Sequence, residues 1–170
     1  MAKSKKKVAR KSKAGPVPKG YHSVTPGLAL RDTAAAIEFY KKAFGAKEKS
    51  RMPGPDGRTV MHAELQIGDS NIMVGEEMPQ MGHPSPQALG GTPVNLYVYV
   101  KDADKVFDQA VRAGATVVMP VADMFWGDRQ GSLRDPFGHS WGIATRKRNL
   151  SMKQMMKAAE EYFASQPMQQ

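Results

Sequence analysis

His62 and Glu64 stand two residues apart in Val60–Ile67, where Ala63, Leu65 and Ile67 are apolar. If this segment is a strand, alternation turns Ala63, Leu65 and Ile67 to a buried face and His62, Glu64 and Gln66 to the other. A carboxylate beside an imidazole on one strand face can orient it or tune it for proton transfer. The same pair also makes an ordinary hydrogen-bonded polar wall. As metal ligands the two need a third partner. His22, His83 and His139 lie at a strand entrance, in a Pro-rich connection and in a hairpin, and none is a clear candidate.

Two further groups could contact a ligand. In Asn95–Tyr99 the same alternation points Asn95, Tyr97 and Tyr99 away from the buried face. Phe125-Trp126-Gly127-Asp128-Arg129 sets two aromatics beside a glycine and an acid–base pair. Read as a loop between strands, it either caps an apolar ligand or is an Asp128–Arg129 brace with Trp126 as a packed plug. Met73, Met78, Met81, Met119 and Met124 offer adaptable apolar surface, as ligand wall or core filler. No nucleophile elbow or phosphate-cradling loop is present, and Gly90-Gly91 follows no strand and opens no helix.

The elements that must position these residues come in two similar sets. Val24–Leu30 reads as a strand, and Asp32-Thr33 caps a helix over 34–43 with Ile37, Tyr40 and Phe44 on its apolar stripe. Gly45 ends that helix. Strands follow near 47–52, 60–67 and 71–75, with turns at 53–57 and 68–70. Residues 76–93 form a long connection. The order then repeats: a strand at 94–100, a helix capped by Asp102 with Val106, Phe107, Ala110 and Val111 on its buried side, a strand at 116–120 and a last strand at 140–144. Asp32 and Asp102 are 70 positions apart, as are Gly68 and Gly138, while the helix-end glycines Gly45 and Gly114 are 69 apart, a slip of one. This register matches Glu64 to Arg134, an acid and a base across a pseudo-twofold. Ser151 and Gln154 form a capping box for a final helix to about 164. Its stripe of Met152, Met155, Met156, Ala159, Tyr162 and Phe163 should dock on the body or on a second subunit.

Composition limits the alternatives. The chain has 170 residues, 41% of them apolar, which suffices for one compact domain. No apolar run is long enough for a membrane helix, and the basic N-terminus lacks the apolar core of a secretory signal. Cysteine is absent, which excludes disulfides and thiolate metal sites, and a cytoplasmic location is expected. The net charge of +9 is concentrated in residues 1–20, which hold eight Lys/Arg and no acid, against 17 basic and 16 acidic groups elsewhere. Such a segment is expected to stay disordered. It either solubilises the chain or makes a weak, salt-sensitive contact with nucleic acid or another polyanion. The organisation read here is a basic tail and linker at 1–20, a paired-module domain at 21–148 and a C-terminal helix and tail at 149–170.

Arg31-Asp32 with Ala36-Ile37-Glu38-Phe39-Tyr40 and Phe44-Gly45-Ala46 resembles the first module of the glyoxalase/bleomycin-resistance (vicinal-oxygen-chelate) proteins. His62-Ala63-Glu64-Leu65 with Ile67-Gly68-Asp69 is similar to their PhnB-like branch. Asp135-Pro136-Phe137-Gly138-His139 with Trp141 resembles the closing hairpin of the second module. The likeness covers about residues 22–146. It implies an α+β fold of two tandem βαβββ modules, forming a curved, cleft-enclosing mixed sheet with helices outside, and often dimers. Activities in such proteins include lyase or isomerase chemistry on glutathione adducts, ring-cleaving dioxygenation, epoxide opening in fosfomycin and drug sequestration, and the fold does not choose among them. Metal-dependent members carry ligands at positions held here by Thr25, Asn95, Ile72 and Gly142. These four argue against the usual divalent metal, and no cofactor is expected.

Three readings follow. The first is a metal-independent protein binding a small amphipathic molecule through Gln66, Asn95, Tyr97, Tyr99, Trp126, Arg129 and Arg134, as a homodimer. The second is a glyoxalase-type lyase or isomerase using His62 and Glu64. The third is a protein tethered to a polyanion by its basic tail. Ordering residues 1–20 would cost about 1–2 kcal/mol per residue with little apolar area to bury in return. Their deletion should leave the melting temperature of the purified protein within about 2 °C of the full chain. A loss of several degrees would show that the segment packs.

Overall fold

The structure is a computed structural model, and it describes residues 14–165. The expected contact of the basic tail with a polyanion rests mostly on residues 1–13, outside the described part. The first module is β1 (Gly27–Leu30), α1 (Thr33–Phe44), β2 (Lys47–Pro53), β3 (Val60–Ile67) and β4 (Ser70–Glu76). A connection with a one-turn helix, α2 (Pro86–Leu89), leads to β5 (Asn95–Tyr99), α3 (Ala103–Ala113), β6 (Thr116–Asp123), β7 (Asp128–Arg134) and β8 (Ser140–Arg146). A last helix, α4, spans Met152–Ser165. The strands make two four-stranded sheets, ordered β1-β4-β3-β2 and β5-β8-β7-β6. In each sheet the first strand runs parallel to the last and the other pairs are antiparallel. This is the α+β, two-module architecture expected from the sequence. No described helix is long and apolar enough to cross a membrane.

Local chemistry sets the helix ends. The Asp32 carboxylate accepts from the Ala35 amide at 2.9 Å, and Asp102 does the same for Lys105 at 3.0 Å. Each occupies one of the amides that a helix start leaves unpaired. Gly45 and Gly114 close the two helices with φ of 65° and 116°, in the left-handed region that costs glycine least. The Ser151–Gln154 capping box forms as expected.

Each sheet buries one face under its own helix. Ala63, Leu65 and Ile67 face the core, and His62, Glu64 and Gln66 take the other side of β3. On β8, Trp141 and Ile143 are buried in that same core. The core is continuous between modules. Trp141 packs on Phe44 with ring centroids 4.6 Å apart and on Tyr40 at 5.5 Å. At the centre stands Asp135. One carboxylate oxygen accepts from the Tyr40 hydroxyl at 2.8 Å and the Trp141 indole at 2.9 Å. The other accepts from the Phe137 and His139 amides, both at 2.9 Å. Burial, and then the Asp135 charge, holds the Tyr40 hydroxyl well above its ordinary pKa.

Three expectations are corrected. The repeat is not in constant register. The buried pair Leu65–Ile72 corresponds to Leu133–Trp141, because the β7–β8 turn is longer than the β3–β4 turn. Glu64 therefore corresponds to Ser132, and no Glu64–Arg134 pairing exists. Asp128 and Arg129 begin strand β7 instead of lying in a loop. Val111 is exposed, because α3 turns Ala103, Phe107 and Ala110 to its sheet. The stripe of α4 meets the body of its own chain only in part: Met155 lines a hollow with Tyr97 and Tyr99, while Met152, Met156 and Phe163 stay exposed. No α4 residue is buried, and its aromatic contacts are Tyr162 and Phe163 against Phe125, at 5.5 and 5.8 Å.

Replacing Asp135 by Ala would strand two buried side-chain donors and two amides. An unsatisfied buried donor costs about 1–3 kcal/mol. Asp135→Ala should therefore lose about 3–5 kcal/mol in urea unfolding, against about 1 kcal/mol for Tyr40→Phe, which leaves the carboxylate three donors. Equal small losses would remove Asp135 from the centre of the fold.

Candidate functional site

The faces turned away from the helices carry the residues singled out above, and they fall on two separate walls. On the first module, His62 lines an open cavity of about 370 Å³ together with Met61, Met73, Met78 and His83. His62 Nε2 is 3.9 Å from Glu64 Oε1, too long for a hydrogen bond. The Tyr21 hydroxyl is enclosed beside Glu64 without a well-directed partner. Burial, and then the Glu64 carboxylate, pushes this hydroxyl up to about 12. Gln66 lies opposite Asn71 on β4, whose amide donates to the Gly20 carbonyl at 2.7 Å.

The second wall is aromatic. Tyr97, Tyr99, Trp126, Asp128, Arg146 and Met155 line a shallow, open cavity of about 480 Å³. The Tyr97 and Tyr99 rings lie 5.3 Å apart, tilted by 55°. Tyr97 lies flat because its cross-strand neighbour is Gly142: a Cβ there would come within 2.6 Å of the Tyr97 ring. Trp126 is held edge-on by Phe125 at 4.9 Å. Asp128 forms the floor and is only 2% exposed. Its Oδ2 accepts from the Tyr99 hydroxyl at 3.0 Å. Arg146 Nε lies 3.0 Å from Oδ1, yet Oδ1 has no directed donor, so this contact is electrostatic. Burial raises both tyrosines above their ordinary pKa, and the nearby Asp128 carboxylate adds to the shift.

The other candidate residues lie outside this cavity. Asn95 borders a third space, about 690 Å³, between the β5 edge and the β3–β4 turn. Arg129 turns to Asp104, with two contacts of 2.6 Å, and to Asp123 at 3.2 Å. These carboxylates hold its guanidinium well above the usual range. Arg134 is exposed, opposite Thr116 and Ser140. His62 and the aromatic group line different cavities. The central role of Asp128, the floor, was not read from the sequence. A buried acid on a strand leaves no periodic mark.

The residues at the superfamily's ligand positions do not fit a divalent metal. Thr25 donates to the His22 carbonyl, Ile72 is buried in the core, and the Tyr97 ring covers Gly142. Among the described residues no three His, Asp or Glu side chains come together.

The chain is similar in sequence and fold to known proteins. A profile of the Glyoxalase/Bleomycin resistance protein/Dioxygenase superfamily matches residues 21–143. An uncharacterised protein of Mycobacterium bovis is 45% identical over 139 residues, spanning 80% of this chain and 91% of that one. CFP32 of Mycobacterium tuberculosis, a putative glyoxylase by name, is 29% identical over 76% of this chain and 49% of its own length. Among solved structures, TioX from Micromonospora sp. ML1 superposes with a TM-score of 0.58 at 31% identity, over 72% of this chain and 96% of TioX. With two βαβββ modules in place and the profile spanning both, the chain belongs to the Glyoxalase/Bleomycin resistance protein/Dioxygenase superfamily.

Proposed function

We propose that this protein binds a small amphipathic molecule against the aromatic wall of its second module, without a metal ion. The observation that carries this reading is the cavity of Tyr97, Tyr99, Trp126 and Met155 above the buried Asp128. Its volume, about 480 Å³, suits a small ligand, and apolar walls with a few convergent polar groups are the usual make-up of such sites. A lyase or isomerase of glyoxalase type is the second reading. It rests on His62, Glu64 and the enclosed Tyr21 hydroxyl as a proton-transfer group.

The working assembly in this proposal is a homodimer. Met152, Met156 and Phe163 of α4 are exposed, and burying such area is worth roughly 25 cal/mol per Å². Met155 belongs to both α4 and the ligand cavity, so a partner seated on α4 would border the site. The basic tail adds, in the same proposal, a weak contact with a polyanion.

Trp126→Ala should weaken binding of an amphipathic fluorescent dye about tenfold, as loss of an aromatic anchor does, with His62→Ala near wild type. Loss of dye binding on His62→Ala alone would move the site to the first module. In sedimentation the full chain should run at twice 18.6 kDa, and removal of residues 150–170 should give the monomer mass. A full chain that sediments as a monomer would end the dimer.

A further inference from the structure

We propose that the aromatic cavity takes an organic cation of the amidinium, guanidinium or alkylammonium class, which displaces the guanidinium of Arg146. The inference rests on the small-molecule reading above and names its ligand class.

Three rings bound the cavity, from Tyr97, Tyr99 and Trp126. Aromatic faces carry negative electrostatic potential and attract cations over neutral groups of the same shape. The floor is the Asp128 carboxylate, 2% exposed. A buried carboxylate demands compensation by a cation or by donors. The Tyr99 hydroxyl supplies one donor to Oδ2, and Oδ1 receives none. The remaining compensation is the charge of Arg146.

Arg146 is a poorly fitted occupant. Its Nε is 3.0 Å from Oδ1 but is not aimed at it, and Nη1 donates to the Trp126 carbonyl at 3.2 Å. Its side chain is 46% exposed. A guanidinium fork that fits a carboxylate makes two parallel N–H bonds to it, and this one makes neither. Arg146 is the last residue of β8, and its side chain can leave the cavity without disturbing the sheet behind it. Once it leaves, the two groups it faced at the base are both acceptors, Asp128 Oδ1 and the Trp126 carbonyl. A ligand carboxylate would meet them with like charge. A planar cation would satisfy Oδ1 and lie under the aromatic faces. Burial is the main cause of the raised tyrosines; the Asp128 carboxylate adds to it and Arg146 partly offsets it.

The competing class is an aromatic anion that keeps Arg146 in place and pairs with it. Benzamidine, benzamide and benzoate share one shape and differ in charge, so calorimetric titration of the full chain with each separates the cases. The expected order is benzamidine first, by about tenfold over benzamide, with benzoate weakest. Arg146→Gln should tighten benzamidine about tenfold, and its lowered melting temperature should recover on adding benzamidine more than wild type gains. Asp128→Asn should abolish the preference for the cation. Benzoate as the tightest probe, weakened by Arg146→Gln, would overturn the proposal. So would equal binding of all three, or no benzamidine binding to either protein up to about 10 mM. Dye binding that depends on Trp126 while the amidine preference is absent would discard the cation alone. Dye binding that ignores Trp126 would discard the site itself.

Discussion

The Asp135 carboxylate is the constraint on which the rest of the molecule depends. It is buried, and it is filled by four donors from α1, from β8 and from its own turn. A charge in that position is tolerable only when its lone pairs are occupied. The donors therefore fix the distance between the first helix and the last strand. That distance seats Trp141 between Tyr40 and Phe44, which makes one core of two modules. Gln109 adds a lesser tie, donating from α3 to the last carbonyls of α1 at 2.7 and 3.0 Å. With the helices fixed against each other, the uncovered faces of the two sheets are fixed as well, and function is left to those faces.

The two faces differ in how they are furnished. The first presents an imidazole, a carboxylate and thioethers in an open hollow. The second presents rings over a buried acid. In this superfamily the same faces can hold metal ligands, but here Gly142 leaves room for a ring to lie down where a ligand side chain would stand. On the reverse side of the same sheet, Phe107 lies on Gly131 in the same manner. Missing side chains on β7 and β8 thus shape both surfaces of the second module: one receives the helix, the other the aromatic wall.

Much of this was legible in the sequence because local rules wrote it. Asp32 and Asp102 cap helices wherever they precede them, Gly45 and Gly114 end them, and the alternation of Ala63, Leu65 and Ile67 sorts the two sides of β3. Tyr97 and Tyr99 were candidates by the same alternation and Trp126 by its place in an aromatic segment beside a glycine, and the three meet in one cavity. Strand β7 was invisible because its inward positions include Gly131, whose volume is supplied by Phe107 from another element. The constant repeat register failed because only the β7–β8 turn has to bring Asp135 to Tyr40, and it is longer for that reason. The burial of Asp128 depends on Tyr99, a partner 29 positions away. The charge partners of Arg129 are Asp104 and Asp123, of which the first is 25 positions away in sequence.

The contact of Tyr97 with Gly142 carries a lesson for redesign. A carboxylate or imidazole introduced at position 142 would enter the volume of the ring, with its first carbon already 2.6 Å from it. The ring must be removed before the new side chain has anywhere to go. Removing the ring opens one side of the aromatic cavity. The two uses of this strand pair, coordinating a metal and stacking on a ligand, are therefore mutually exclusive, and an engineer who wants the first must give up the second in an obligatory order.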